Sequence, residues 1–84
     1  MSKKEKLLKR CLGKPKDFSW KEFETLIRYF GFEEKASGKT GGCRRRFVNA
    51  NDIVISLHKP HPSPFLKRYQ LEQVLETLRQ ENLI

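Results

Sequence analysis

The chain has 84 residues, of which 18 are Lys or Arg and 10 are Asp or Glu, so its formal net charge at pH 7 is +8. A chain of this length forms one small domain that buries only about 60 to 65% of its unfolded surface, so we expect its functional residues on a shallow face. That expectation disfavours enzymes that need a deep pocket for a small-molecule cofactor.

A short basic helix is predicted over Ser2 to Leu12, followed by a break at Gly13 to Lys16. The helix carries a narrow apolar stripe made of Leu7, Leu8, Cys11 and Leu12. We therefore divide the chain into a basic N-terminal helical extension, residues 1–16, and a main domain, residues 17–84. The extension is suited either to RNA or to a partner protein.

The second predicted helix has the clearest start signal in the chain. Ser19 to Glu22 has the pattern of a capping box, which predicts a helix beginning at Trp20, and Gly31 is typical of the residue just past a helix end. We expect Trp20 to cover the core. The expected buried stripe of this helix consists of Phe23, Leu26, Ile27 and Phe30.

Three strands are predicted next, over residues 32–36, 44–49 and 53–58. The glycine-rich stretch 37–42 predicts a mobile hairpin loop between the first two strands, and residues 49–52 predict a tight turn between the second and third. Alternation in the third strand places one set of side chains on a single face: Ile53, Ile55 and Leu57.

A last helix is predicted from about Lys67 to Gln80, after a segment in which Pro60, Pro62 and Pro64 prevent regular strand pairing. The main domain is therefore an α+β fold of order α-β-β-β-α, with a three-stranded antiparallel sheet and two helices on one face. The other face of the sheet stays available to a ligand.

The arginine triplet Arg44, Arg45 and Arg46 predicts contact with RNA, and Lys39 and Lys59 are further candidates. A guanidinium group can bind phosphate through two hydrogen bonds or stack on an unpaired base. In a strand, Arg44 and Arg46 share one face and Arg45 points to the other. The alternative is an edge strand that charge protects from aggregation.

His58 and His61 are the candidates for proton transfer. Cleavage of RNA requires a base for the 2′ hydroxyl, an acid for the leaving 5′ oxygen and positive charge near the phosphate, and histidine suits the first two roles. The alternative is that either histidine is only an exposed turn residue. Together with Cys43 they would offer three zinc ligands, but without a recognised spacing, so we expect no metal.

The positive charge indicates the class of partner. Residues 1–50 hold 14 basic and 6 acidic residues, whereas residues 51–84 hold 4 of each. Such a surface favours RNA or an acidic protein over a membrane, because the basic helix lacks a broad apolar face. A charge that only aids solubility is the simpler alternative. Cys11 and Cys43 lack CxxC spacing, which favours free thiols in the reducing cytoplasm.

The order of these motifs resembles that of the HicA toxins of bacterial toxin-antitoxin systems. The resemblance covers about residues 18–84: a capped helix, a glycine-rich turn, basic residues ending in Phe47, the Ile53 to Ile55 strand, the Pro60 to Pro62 segment and the closing helix around 71–75. The intervals from Gly42 to Phe47 and from His61 to Leu71 agree with those of the family.

The resemblance implies a fold like that of double-stranded RNA-binding domains and an mRNA interferase that needs no metal. It also implies a HicB-like antitoxin that blocks the active face of the toxin. Two rival hypotheses remain open: an RNA-binding module without catalysis, and a protein-interaction domain for an acidic partner.

One departure from the family concerns catalysis. The family signature in the second strand is Gly-Ser-His, with the histidine held to be catalytic, whereas this chain has Gly42, Cys43 and Arg44 there. Arginine cannot act as a general base near neutral pH. Catalysis then relies on His61 or His58, with Arg44 as a phosphate clamp, or is absent. His61 matches a second histidine of the family and is the first choice.

Overall fold

The computed structural model describes residues 2–35 and 44–84. It contains helices α1 (Lys3–Leu12), α2 (Trp20–Tyr29) and α3 (Arg68–Gln80) and strands β1 (Glu33–Lys35), β2 (Arg44–Val48) and β3 (Val54–His58). The predicted α+β class and element order are confirmed. The predicted hairpin loop, which includes Lys39, and Cys43 lie outside the described residues.

Helix α2 begins and ends as its sequence signals predict. The Ser19 side chain accepts a hydrogen bond from the Glu22 amide at 3.1 Å, and the Glu22 carboxylate accepts one from the Ser19 amide at 3.1 Å. At the other end, Gly31 has φ +85°, in the left-handed region that glycine tolerates best, and the Phe32 amide donates to the Ile27 carbonyl at 3.1 Å. Phe32 is thereby turned into the core.

The three strands form one antiparallel sheet in the order β1-β2-β3. In the register between β2 and β3, Arg44 lies opposite His58 and Phe47 lies opposite Ile55. A tight turn joins these strands, in which the Asn49 side chain accepts hydrogen bonds from two backbone amides. The predicted turn over residues 49–52 is therefore present.

The two faces of this sheet differ in character. The covered face packs against helices and bears Phe47, Ile55 and Leu57, which are buried. The other face, which we call the open face, carries side chains from all three strands: Glu33, Lys35, Arg44, Arg46, Val48, Val54, Ser56 and His58.

An aromatic cluster joins the start of α2 to the covered face. Trp20 is only 6% exposed, and its ring centroid lies 5.1 Å from that of Phe23 and 6.0 Å from that of Phe47. Phe23 and Phe47 meet edge to face at 5.4 Å. Such pairs add about 0.5–1.5 kcal/mol to the effect of burial alone. Trp20 thus belongs to the core, as the sequence predicts.

Helix α1 shares this core. Cys11 is buried among the core side chains, and burial raises the pKa of its thiol to about 11. Arg10 contacts Glu22 at 2.8 Å and Asp17 at 3.0 Å, which ties α1 to the start of α2. The division of the chain between residues 16 and 17 stays a prediction.

Candidate nucleic-acid interface

Arg44 and His58 lie next to each other on the open face. The Asn49 amide donates to the Ile53 carbonyl at 3.2 Å, which makes these two opposed residues a hydrogen-bonded pair. Since such pairs alternate with non-hydrogen-bonded ones, Arg44 and His58 form a non-hydrogen-bonded pair, the type in which opposed side chains lie closest. The Arg44 Nε also donates to the Ser56 Oγ at 3.0 Å, which directs the guanidinium across β3.

The arginine triplet is divided between the two faces, as strand alternation predicts. Arg44 and Arg46 are exposed on the open face, and within residues 2–35 and 44–84 neither forms an ion pair. Arg45 lies on the other side of the strand, where its Nε is 3.8 Å from the Glu34 carboxylate. The open face therefore keeps two guanidinium groups available for an anion.

A buried glutamine fixes the end of β3 beside the start of α3. Gln70 is 3% exposed; its Nε2 donates to the His58 carbonyl at 2.8 Å, and its Oε1 accepts from the Lys67 amide at 3.0 Å. The nitrogen and the oxygen of the buried Gln70 amide group therefore each have a hydrogen-bond partner. Gln70 is not among the residues predicted from the sequence, although its polar side chain at an inward position beside Leu71 and Val74 is a signal of a buried contact.

The segment 59–67, which joins β3 to α3, carries Lys59 and His61 on its exposed surface. Beyond His61 it is bound to the start of α2: the Trp20 amide donates to the Pro64 carbonyl at 2.8 Å, and the Leu66 amide donates to the Phe18 carbonyl at 2.8 Å. The chain is therefore held on both sides of His61. Before His61, Gln70 binds the His58 carbonyl, and after it the residues at the start of α2 bind Pro64 and Leu66.

A shallow groove of about 450 Å³ opens along the outer edge of β3, beside Arg44 and Ser56. Its other wall is the polar side of α3, formed by Gln73, Glu76, Thr77 and Gln80. This groove extends the open face toward α3.

The site combines two cationic groups with one histidine on the sheet and a second histidine nearby in the chain. These groups can hold phosphate and exchange protons. Among the described residues, no group of three His, Cys, Asp or Glu side chains is arranged to hold a metal ion. In the same part of the chain, no helix is long and apolar enough to cross a membrane.

The chain matches a known protein family. The model of a family described as "HicA toxin of bacterial toxin-antitoxin" matches residues 20–80, from the first residue of α2 to the last residue of α3. The matched range contains the open face and both histidines. No curated protein and no solved structure matched the chain.

Proposed function

Because this chain belongs to the HicA toxin family of bacterial toxin-antitoxin systems, we propose that it is an endoribonuclease. It cleaves mRNA in the cytoplasm without a metal or other cofactor and arrests growth until a HicB-like antitoxin binds it. The observation that carries this proposal is the pairing of Arg44 with His58 on the open face. This register sets a residue with a cationic side chain directly opposite one whose imidazole can exchange protons.

The proposed reaction uses the RNA itself as the nucleophile. One histidine takes the proton of a 2′ hydroxyl, and the 2′ oxygen attacks the adjacent phosphorus. The bond to the 5′ oxygen breaks, and the other histidine, acting as a general acid, protonates that oxygen. Arg44 and Arg46 stabilise the negative charge that develops on the phosphate oxygens, and Lys59 contributes positive charge nearby. The products are a 2′,3′-cyclic phosphate and a 5′ hydroxyl.

The sheet register supports His58 as the base. Arg44 occupies the place at which the family signature has its histidine, and His58 lies directly across from Arg44 on the neighbouring strand. A histidine on β3 thus reaches the same part of the open face as one on β2. The sequence favours His61 as the first choice for the base; in this proposal His61 is the acid, three residues further along the chain.

RNA binding without cleavage is the second candidate function. It is favoured by the arginine at position 44, which cannot act as a general base. In that case the open face binds RNA through Arg44 and Arg46, and neither histidine has a chemical role.

Cleavage of a long RNA by purified protein in EDTA separates these candidates. We expect His58→Ala and His61→Ala each to lower the rate by about 10² to 10⁴, the usual contribution of a general acid or base. The matched control is Arg79→Ala, an exposed residue of α3 outside the open face. Circular dichroism confirms folding, and phosphorylation of the new ends by a kinase confirms 5′ hydroxyls.

Two results would contradict the assignment. Full activity in both histidine variants would exclude them as acid and base. RNA that is bound but remains intact with the unaltered protein would favour the non-catalytic function.

The toxin family implies an antitoxin partner, and the open face indicates its chemistry. Arg44 and Arg46 favour an acidic surface of a HicB-like protein that competes with RNA. Co-expression with a cognate HicB-like protein is expected to restore growth and inhibit RNA cleavage.

A further inference from the structure

A second groove, which is basic, shares no lining residue with the open face. It has a volume of about 420 Å³, which is within the range of about 300–1,000 Å³ usual for ligand sites. Two segments distant in sequence form its walls: Lys14, Pro15 and Lys16 between α1 and α2, and Ser63, Phe65, Leu66, Lys67 and Arg68 before and at the start of α3.

The groove combines an aromatic surface with surrounding cations. Pro15, Phe65 and Leu66 supply its apolar side, and Phe65 is 42% exposed. The cations are Lys14, Lys16, Lys67 and Arg68. Single-stranded nucleic acids bind to this combination, because bases stack on aromatic rings while Lys and Arg neutralise the phosphates.

The backbone around Phe65 is fixed. The Leu66 amide donates to the Phe18 carbonyl, and the Phe65 amide donates to the Ser63 hydroxyl at 3.2 Å. The backbones of Phe65 and Ser19 also form an isolated antiparallel β-bridge. An aromatic side chain on a fixed backbone loses little conformational entropy on binding, which favours affinity.

The cations of the groove are weakly neutralised. In the described part of the chain, Lys14, Lys16 and Lys67 form no ion pair. The Arg68 Nε is 3.3 Å from the Glu72 carboxylate, but both side chains are largely exposed. Exposed pairs of this kind contribute little, so a phosphate can replace Glu72 as the partner of Arg68.

We propose that this groove is a second RNA subsite, which binds the phosphates of single-stranded RNA and stacks one base on Phe65. The proposal rests on the function proposed above. The segment 59–67 supports it, since this segment carries His61 and also forms one wall of the groove. His61 and Phe65 are four residues apart on this segment, so the proposed RNA strand contacts both. The other wall, with Lys14 and Lys16, lies outside the matched residues 20–80.

The test measures RNA affinity with a probe that the protein cannot cut. A fluorescent 2′-O-methyl oligouridine lacks the attacking hydroxyl, and its anisotropy gives the affinity as a function of salt. We expect Lys14→Ala/Lys16→Ala to reduce the slope of log affinity against log salt by about 1.4, since each lost phosphate contact on a single strand contributes about 0.7. The matched control, Lys21→Ala/Arg79→Ala, removes equal charge from exposed positions outside the groove, the open face and the N-terminal extension, and leaves affinity within twofold.

Stacking is tested separately with Phe65→Leu, which keeps an apolar side chain but removes the ring. We expect RNA affinity to fall by about 5- to 150-fold, the range for loss of one stacked base, with an unchanged salt slope. Binding of polyglutamate, which has charge but no bases, should respond to the lysine variants and not to Phe65→Leu.

The outcomes separate this inference from the proposed function. If the lysine variants and Phe65→Leu bind RNA as the unaltered protein does, while Arg44→Ala/Arg46→Ala binds weakly, the groove is not a subsite and the proposed function stands. If Phe65→Leu weakens polyglutamate binding as much as RNA binding, the groove is a protein surface and the inference is wrong. If the unaltered protein shows no salt-dependent RNA binding, both are wrong.

Discussion

The two faces of the sheet differ in burial and in charge. On β2, Phe47 is buried against Trp20 and Phe23, whereas the preceding residue, Arg46, is exposed on the open face. Side chains on a strand alternate between faces, so neighbouring positions have separate roles. Substitutions on the covered face should therefore change stability, and those on the open face should change RNA chemistry.

The largest expected change in stability comes from Phe47→Ala. It removes a ring from the aromatic cluster and leaves a cavity, which costs about 3–5 kcal/mol of the free energy of unfolding. Urea denaturation measures this loss. The matched control is Arg46→Ala on the neighbouring position, with an expected change within about 0.5 kcal/mol. Equal losses in the two variants would contradict the assignment of the faces.

The next largest change in stability is expected for Gln70→Leu, which removes the hydrogen bond from the Gln70 side chain to the His58 carbonyl. Without the amide, the His58 carbonyl and the Lys67 amide lose their partner, at a cost of about 1–3 kcal/mol. We also expect a shift of the His58 backbone NMR signals and slower RNA cleavage. Arg79→Leu, at an exposed position of the same helix outside both grooves, is the control. Unchanged His58 signals would show that Gln70 does not position this residue.

A smaller change is expected from the ion pair that joins α1 to α2. Burial raises the pKa of Glu22, but hydrogen bonds from Arg10 and the Ser19 amide outweigh burial, so the net pKa is lowered. The stabilisation is therefore complete above the ordinary glutamate pKa of about 4.3 and is lost as the pH falls through the lower folded-state pKa. Urea denaturation from pH 7 to pH 2 measures this loss.

Glu22→Gln should remove that acid-dependent part of the stability. The exposed Glu81→Gln serves as the control. The same acid response in Glu22→Gln and the unaltered protein would show that Glu22 is not responsible.

The smallest change in stability is expected for Arg44→Ala, within about 0.5 kcal/mol, because the side chain is exposed. RNA cleavage should nevertheless fall by about 10- to 150-fold, since a charge-assisted contact contributes about 1.5–3 kcal/mol. Arg45→Ala removes the same charge from the opposite side of the strand and should cleave RNA nearly normally. Equal loss of cleavage in both variants would show that total charge matters and the open face does not.

Local signals explain why most of the fold was predictable. The capping box at Ser19, the glycine at 31 and the alternation around Ile55 each act through neighbours in the chain, and the structure contains all three features. The predicted strand from Phe32 begins at Glu33 instead. The predicted start is one residue too early because the end of α2 turns Phe32 into the core.

The candidate site was only partly predictable. The sequence identified Arg44 and His58 separately, and the separation of Arg45 from its neighbours followed from strand alternation. The roles of His58, His61, Lys59 and Lys39 stay predictions. No local pattern indicated that Gln70 would bind the His58 carbonyl, because that contact joins residues from different elements.

The sequence by itself determined the elements, the covered face and the basic character of the chain, because periodicity, capping and charge are local properties. Only the tertiary structure decided which functional groups meet. The register of β2 on β3 opposes Arg44 and His58, and the packing of α1 brings Lys14 and Lys16 to Phe65. Such contacts depend on how the whole core packs, and no short segment of sequence specifies them.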